Sequence, residues 1–171
     1  MDSGSEYRIA AMKSLLIVIA AICLTQLAQD NTSDAEAKAA AEATVHSFVD
    51  SWNRADGVAY GENYWSDAEL VDPSGEIVDG RAAIAREHVD LWAGIFKGSH
   101  VSAKVRRVRR LDPNHIIADF DTELSGVQKL PSGTQNQGSD NVVRTHLKHI
   151  LEKRDGHWKV LSAQNTFIAG K

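Results

Sequence analysis

The stretch Val101-Ser102-Ala103-Lys104-Val105-Arg106, then the turn Asp112-Pro113-Asn114, then Ile116-Ile117-Ala118-Asp119-Phe120-Asp121-Thr122-Glu123-Leu124 decides the fold class. Before Gly98 the apolar residues recur at helical spacing. From Val101 onward they alternate with polar ones, the period of a strand with one face buried. Asp-Pro-Asn is a turn sequence, so the two runs read as a hairpin. If Leu111 faces Ile116 across the turn, Arg106 faces Asp121 and Lys104 faces Glu123. Opposite charges then pair on one face, while Val105 and Thr122 pair on the other.

Two further strands are expected downstream, Val142–Lys153 and Trp158–Thr166, joined by the tight turn Arg154-Asp155-Gly156-His157. Between the hairpins, residues 126–140 form a polar Gly/Ser/Asn/Gln-rich loop, long enough for a flap or rim. Upstream the pattern is helical. Ser33 and Glu36 make a capping box, and Val45, Phe48, Val49 and Trp52 form one apolar stripe. A short helix over Val58–Tyr64 follows. Glu69-Leu70-Val71-Asp72 and Glu76-Ile77-Val78 flank the turn Pro73-Ser74-Gly75. Asp79-Gly80 opens a third helix with Ile84, His88, Leu91, Trp92 and Ile95 on one face. Helices first and an antiparallel sheet after them predict an α+β fold, helices on one face of a curved sheet.

The chain has 171 residues, 43% of them hydrophobic, and a net charge of −4 from 19 Lys+Arg and 23 Asp+Glu. That is one domain with a real core, and its acidic balance gives no long-range attraction for nucleic acid. Lys13 precedes the apolar run Ser14–Leu24, too short for the roughly 20 residues of a membrane span and right for a secretory signal peptide. Residues 1–28 are expected to be the leader, with residues 1–11 an upstream extension before Met12-Lys13. The expected mature domain, residues 29–171, loses Arg8 and Lys13 with Asp2 and Glu6, so its charge stays −4. It also loses Cys23, the single cysteine, which suits a periplasmic or secreted protein without disulfides. No membrane contact is expected after leader removal.

Trp52-Asn53-Arg54-Ala55-Asp56, Asp72-Pro73-Ser74-Gly75, Gly80-Arg81-Ala82-Ala83-Ile84 with His88, and Asp155-Gly156-His157-Trp158-Lys159-Val160 followed by Asn165-Thr166 stand in one order along the chain. In that order they resemble the SgcJ/EcaC group of the SnoaL-like, nuclear-transport-factor-2-like superfamily, from about Ala39 to Phe167. The resemblance implies a cone-shaped fold of helices on a curved antiparallel sheet, an internal cavity and a homodimer formed through the sheet. Many members carry His before the Asn-Thr pair. Here the residue is Gln164, which can hydrogen-bond but cannot titrate.

His88 interrupts the apolar stripe of its helix and should point between helix and sheet. It reads as an acid or base in the cone, or as a core histidine satisfied by one hydrogen bond. By alternation with Trp158 and Val160, Gln164 should point inward and Asn165 outward, unless a bulge intervenes. Trp52, Tyr64 and Trp92 are candidate ligand-lining aromatics, or plain core. Asp72 is a rim carboxylate or a turn cap. His146 and His149, three apart on a strand, face opposite sides, so no metal is expected. The run Arg106-Arg107 with Arg109-Arg110 is divided by strand alternation and does not suggest nucleic acid. No phosphate loop, nicotinamide or flavin fingerprint occurs, and no cofactor is expected. Three function classes follow. The first is binding of a small apolar molecule. The second is a cofactor-independent isomerase, cyclase or dehydratase using His88, with Gln164 or Tyr64 stabilising an oxyanion. The third is a dimerising interaction module without chemistry.

Overall fold

The computed structural model describes residues 33–127, 129 and 142–168. The expected leader with Cys23 and most of the 126–140 loop lie outside the described residues, whereas Ser33 and Glu36 of the expected capping box are both within the first helix as described. The chain divides into two units, Met1–Glu36 and Ala37–Lys171, and the fold belongs to the second.

Helix α1, described over residues 33–53, buries Ala37, Ala41, Val45, Phe48 and Trp52, a stripe repeating every three or four residues. Small residues at one end let it lie close to Ile116, Ala118 and Leu151. Large ones at the other reach Tyr60, Tyr64, Ile84, Phe120 and Leu147. Ala55, at φ +50°, ends the helix, and Asp56 caps the short α2 (Gly57–Gly61) by accepting from Ala59 N at 3.0 Å. Helix α3 (Arg81–Ala93) begins after Gly80, whose φ of +84° takes the chain out of β2. It buries Ile84, His88 and Trp92 at i, i+4 and i+8.

The strands are β1 (Tyr64–Val71), β2 (Ile77–Asp79), β3 (His100–Asp112), β4 (His115–Ser125), β5 (Val143–Arg154) and β6 (His157–Phe167). They form one sheet in the order β2-β1-β6-β5-β4-β3, antiparallel throughout except for the parallel pair β1–β6. The β5–β6 turn places Asp155 and Gly156 at φ +51° and +80°, the twist that suits a two-residue hairpin. This is the α+β cone predicted from the sequence. One irregularity enters β1, and bulges interrupt the β3–β4 and β5–β6 ladders. Such breaks bend strands and let a sheet curl around its core.

The β3–β4 register starts as expected beside the turn, at Asp112↔His115, and then slips by one residue at each of two bulges. Val105 therefore faces Phe120, Ala103 faces Thr122, and Lys104 rather than Arg106 lies opposite Asp121. Arg106 still reaches Asp121 at 3.6 Å, and Glu123 takes Arg144 at 3.0 Å. The charge pairing survives with changed partners, because each bulge adds a residue to β3 alone. Arg106, Arg107 and Arg109 are exposed together for the same reason.

Candidate functional site

The concave side of the sheet and the three helices enclose a cavity of about 240 Å³. An apolar cavity of roughly 150 Å³ holds benzene, so this one has room for a monocyclic to small bicyclic molecule. Phe48 and Trp52 of α1, Tyr60 of α2, and Val101, Leu124 and Leu147 of the sheet supply apolar walls. Thr122 and Thr145 face each other across β4–β5, and their hydroxyls bond to one another at 2.7 Å, which satisfies two polar groups in the lining. At the mouth lie Asp72, Pro73, Ser74, Glu87, Leu91 and Ile95, the last exposed together with Ser74.

His88 is 6% exposed and lines the cavity. Its ring stacks on Tyr60 with centroids 4.0 Å apart and meets Trp52 and Trp92 edge-on at 5.8 and 5.9 Å. Nδ1 lies 2.8 Å from the Ile84 carbonyl oxygen, so Nδ1 is the protonated, donating nitrogen. Nε2, on the far side of the ring, keeps its lone pair for the cavity. Burial lowers the imidazole to about 4, the Ile84 carbonyl opposing in part. At neutral pH His88 is therefore an uncharged acceptor with a fixed tautomer. The core-histidine reading and the site reading describe the same residue, one nitrogen each.

Trp52, Tyr64 and Asp72 also line the cavity. Trp52 is held by its Nε1–H donating to Ser99 Oγ at 3.2 Å. Its neighbour Asn53 clamps the end of α1 to β3, donating to Val101 O at 3.0 Å and accepting from Val101 N at 2.8 Å. Tyr64 is fully buried with its hydroxyl near that of Tyr60, and burial pushes the phenol up to about 12 against the opposing effect of Tyr60. Asp72 is both cap and rim. Its Oδ1 accepts from Ser74 N, Ser74 Oγ and Glu76 N at 2.7–2.8 Å, while the residue continues the inward face of Leu70 to the mouth.

Two expectations are corrected. Gln164 is exposed and does not reach the cavity. Ile150 pairs with Ser162 but Leu151 with Val160, so Leu161 is an extra residue on β6 and every side chain beyond it changes face. Ala163 turns inward and is buried, and Asn165, not Gln164, lines the cavity. Trp92 is buried but lies behind the lining, packed edge-on against Trp52 and Tyr60 at 5.6 and 5.7 Å. His146 and His149 do separate. His146 Nδ1 meets Asp121 at 2.7 Å on the outer face, while His149 is buried edge-on to Phe120 at 4.7 Å. Among the described residues no group of three potential metal ligands forms.

Sequence reasoning passed over Glu87. It stands three residues after Ile84 and four before Leu91, on the same helical stripe, and a charged residue there was the signal. It lines the mouth half-buried, its Oε2 is enclosed without a partner, and burial together with Asp72 and Glu76 raises its pKa.

No protein-family model matches the sequence, and neither does any curated protein. Solved structures do match. A ketosteroid isomerase-like protein from Erwinia carotovora atroseptica SCRI1043 has a TM-score of 0.58 at 20% identity, over 77% of this chain and 95% of that one. The hexachlorocyclohexane dehydrochlorinase LinA-type3 from Novosphingobium barchaimii LL02 has a TM-score of 0.65 at 12% identity, over 80% and 90%. An NTF-2-like protein of unknown function from Shewanella oneidensis MR-1 has a TM-score of 0.57 at 14% identity, over 72% and 93%. At such identities the likeness concerns architecture alone, and the architecture is the nuclear-transport-factor-2-like fold.

Proposed function

We propose that this protein is an exported binding domain for a small, mainly apolar molecule held in the cone. The carrying observation is the 240 Å³ cavity with apolar walls and one neutral, tautomer-fixed acceptor, His88 Nε2, available to it. Apolar walls with a few placed polar groups are the general design of small-molecule sites. Export is supported by Lys13 and the apolar run Ser14–Leu24. Assignment to the SgcJ/EcaC group, and with it a sheet-mediated homodimer, is supported by the ordered motifs from Trp52 to Thr166.

The fixed tautomer also favours catalysis as a second reading. A neutral imidazole lining a cavity with apolar walls can take a proton from carbon beside a carbonyl, with Tyr64 or Asn165 near the developing oxyanion. Two of the structural neighbours bear enzyme names, a dehydrochlorinase and an isomerase-like protein.

A thermal-shift panel of cyclohexanone, 1-indanone and 2-naphthol tests the first reading. At about 100 times Kd a ligand adds about 2.7 kcal/mol, so the melting point should rise by about 5 °C or more. His88→Leu should abolish the shift for hydrogen-bonding members. If none of the three moves the melting point, the binding reading fails. Consumption of the ketones, with a rate lost in His88→Ala, would establish the second.

A further inference from the structure

The polar groups around the cavity mouth are unevenly charged. Asp72 and Glu87 line it, and among the described residues no Lys or Arg does. Asp72 spends Oδ1 on the turn, and Oδ2 is left over. Glu87 is the more telling residue, because its Oε2 is enclosed by protein with no donor in reach. An ionised carboxylate oxygen in that position is costly unless a cation arrives. The charges that act on it from the mouth are further carboxylates, Asp72 and Glu76, while Arg86 shares with it a separate surface groove outside the cavity. A second observation points inward from the mouth. His88, adjacent to Glu87 on α3 and 94% buried, offers an unpartnered lone pair at Nε2, which asks for a hydrogen-bond donor. The aromatic side chains Phe48, Trp52 and Tyr60 also line the cavity, and an aromatic face favours positive charge.

Resting on the binding reading above, we infer that the ligand is a small lipophilic amine, bound as its ammonium ion. The apolar body fills the cone, and the ammonium hydrogens are shared between the Glu87 carboxylate at the mouth and His88 Nε2. A protonated amine supplies what both residues lack. A neutral alcohol can answer only His88, and a carboxylate ligand meets two like charges with no basic residue among the described lining to offset them.

Calorimetric titration with 2-phenylethylamine, 2-phenylethanol and phenylacetate at pH 7.5 tests this, since the three share one apolar body and differ in charge. The amine should bind at least about tenfold more tightly than the alcohol, the scale of a charge-assisted hydrogen bond, and phenylacetate more weakly than either. In Glu87→Gln the amine's advantage over the alcohol should fall below about threefold. A circular-dichroism melt like that of the wild type reports that the variant is folded. If the alcohol binds as well as the amine in the wild type, the amine assignment is wrong and the binding reading stands. If the preference survives Glu87→Gln but disappears in Asp72→Asn, Glu87 is not the cation's partner and the inference falls. If no compound of the three binds at millimolar concentration, the inference and the binding reading fall together.

Discussion

His149 should make the protein acid-sensitive in a way that one substitution removes. The imidazole sits between Phe48, Tyr64 and Phe120, with ring centroids at 6.3, 6.3 and 4.7 Å, and neither ring nitrogen has a hydrogen-bond partner. Burial drives its pKa down to about 3. In the unfolded chain the ordinary value of about 6.5 returns. Below pH 6.5 the unfolded state therefore binds a proton that the folded state refuses. The stabilisation is complete above pH 6.5 and drains away as pH falls towards 3. Each pH unit in that window costs about 1.4 kcal/mol, so the full span is about 5 kcal/mol, a large part of an ordinary domain's stability. His88, lowered to about 4, adds a span of about 3 kcal/mol with the same sign. Glu87 works the other way, because a raised carboxyl takes up its proton in the folded state first and returns some stability on acidification.

Comparison of the wild type with His149→Leu isolates the residue from every other titrating group. Urea unfolding at pH 7.5 and 5.0 should show the wild type losing about 2 kcal/mol more than the variant between the two pH values, from 1.5 pH units below 6.5. At pH 7.5 the variant should be as stable as the wild type or more so by about 1–2 kcal/mol, since an unpartnered buried imidazole is replaced by an apolar side chain that needs no partner. Equal pH dependence in the two proteins, together with a loss of about 3 kcal/mol at pH 7.5, would refute the reasoning. It would mean that the ring is bonded or wet.

Three shorter predictions probe the scaffold and the face of β6. Asn53→Ala removes two hydrogen bonds and leaves both backbone groups of Val101 short of a partner, so unfolding should show a loss of about 1–3 kcal/mol; a loss under 0.5 kcal/mol would mean that the clamp is replaced by water. Gly80→Ala should cost about 1–2 kcal/mol in the same assay, because φ is +84° and the new Cβ would stand 3.3 Å from the Ser66 carbonyl oxygen. Gln164→Ala should leave the affinity for any cone ligand unchanged, whereas Asn165→Leu should change it at least about threefold. The reverse order, measured by calorimetry, would restore the regular alternation that the bulge breaks.

What the sequence showed and what it hid differ by range. The helical stripe Val45-Phe48-Trp52 and the alternating Ile116 to Leu124 were legible because each is a local period that survives folding. Asp155-Gly156 was legible because few residue pairs tolerate two positive φ angles. Register was not, since a bulge is one extra residue chosen by how two strands fit and leaves no mark on composition. One such residue on β6 exchanged Gln164 for Asn165 in the lining, and two on β3 moved Asp121 from Arg106 to Lys104. Trp92 failed for a different reason. Its helical face was read correctly, but a face is wider than a cavity, and Trp52 and Tyr60 stand nearer the opening. Glu87 was overlooked because a charge on an apolar stripe looks like noise until the mouth of the cone is known to lie there.

The two buried histidines show why the secondary structure around a residue governs its chemistry. Both interrupt apolar faces, and both are stripped of water to similar degrees. In a helix the carbonyl four residues back lies beside the side chain and has a second lone pair to give, so His88 Nδ1 finds Ile84 O at 2.8 Å. One proton is thereby tied down and the opposite nitrogen becomes a defined acceptor. In a strand the carbonyls lie in the plane of the sheet, used by the ladder and perpendicular to the side chains. His149, paired in register with Ala118 and Ala163, has no backbone oxygen within reach and no side-chain partner among the described residues. It is left with burial cost and no orientation. A site needs a held imidazole that faces it, which His88 on α3 is and His149 on β5 is not. The cavity accordingly opens on the helix that carries His88, while His149 sits in the packed core behind its wall.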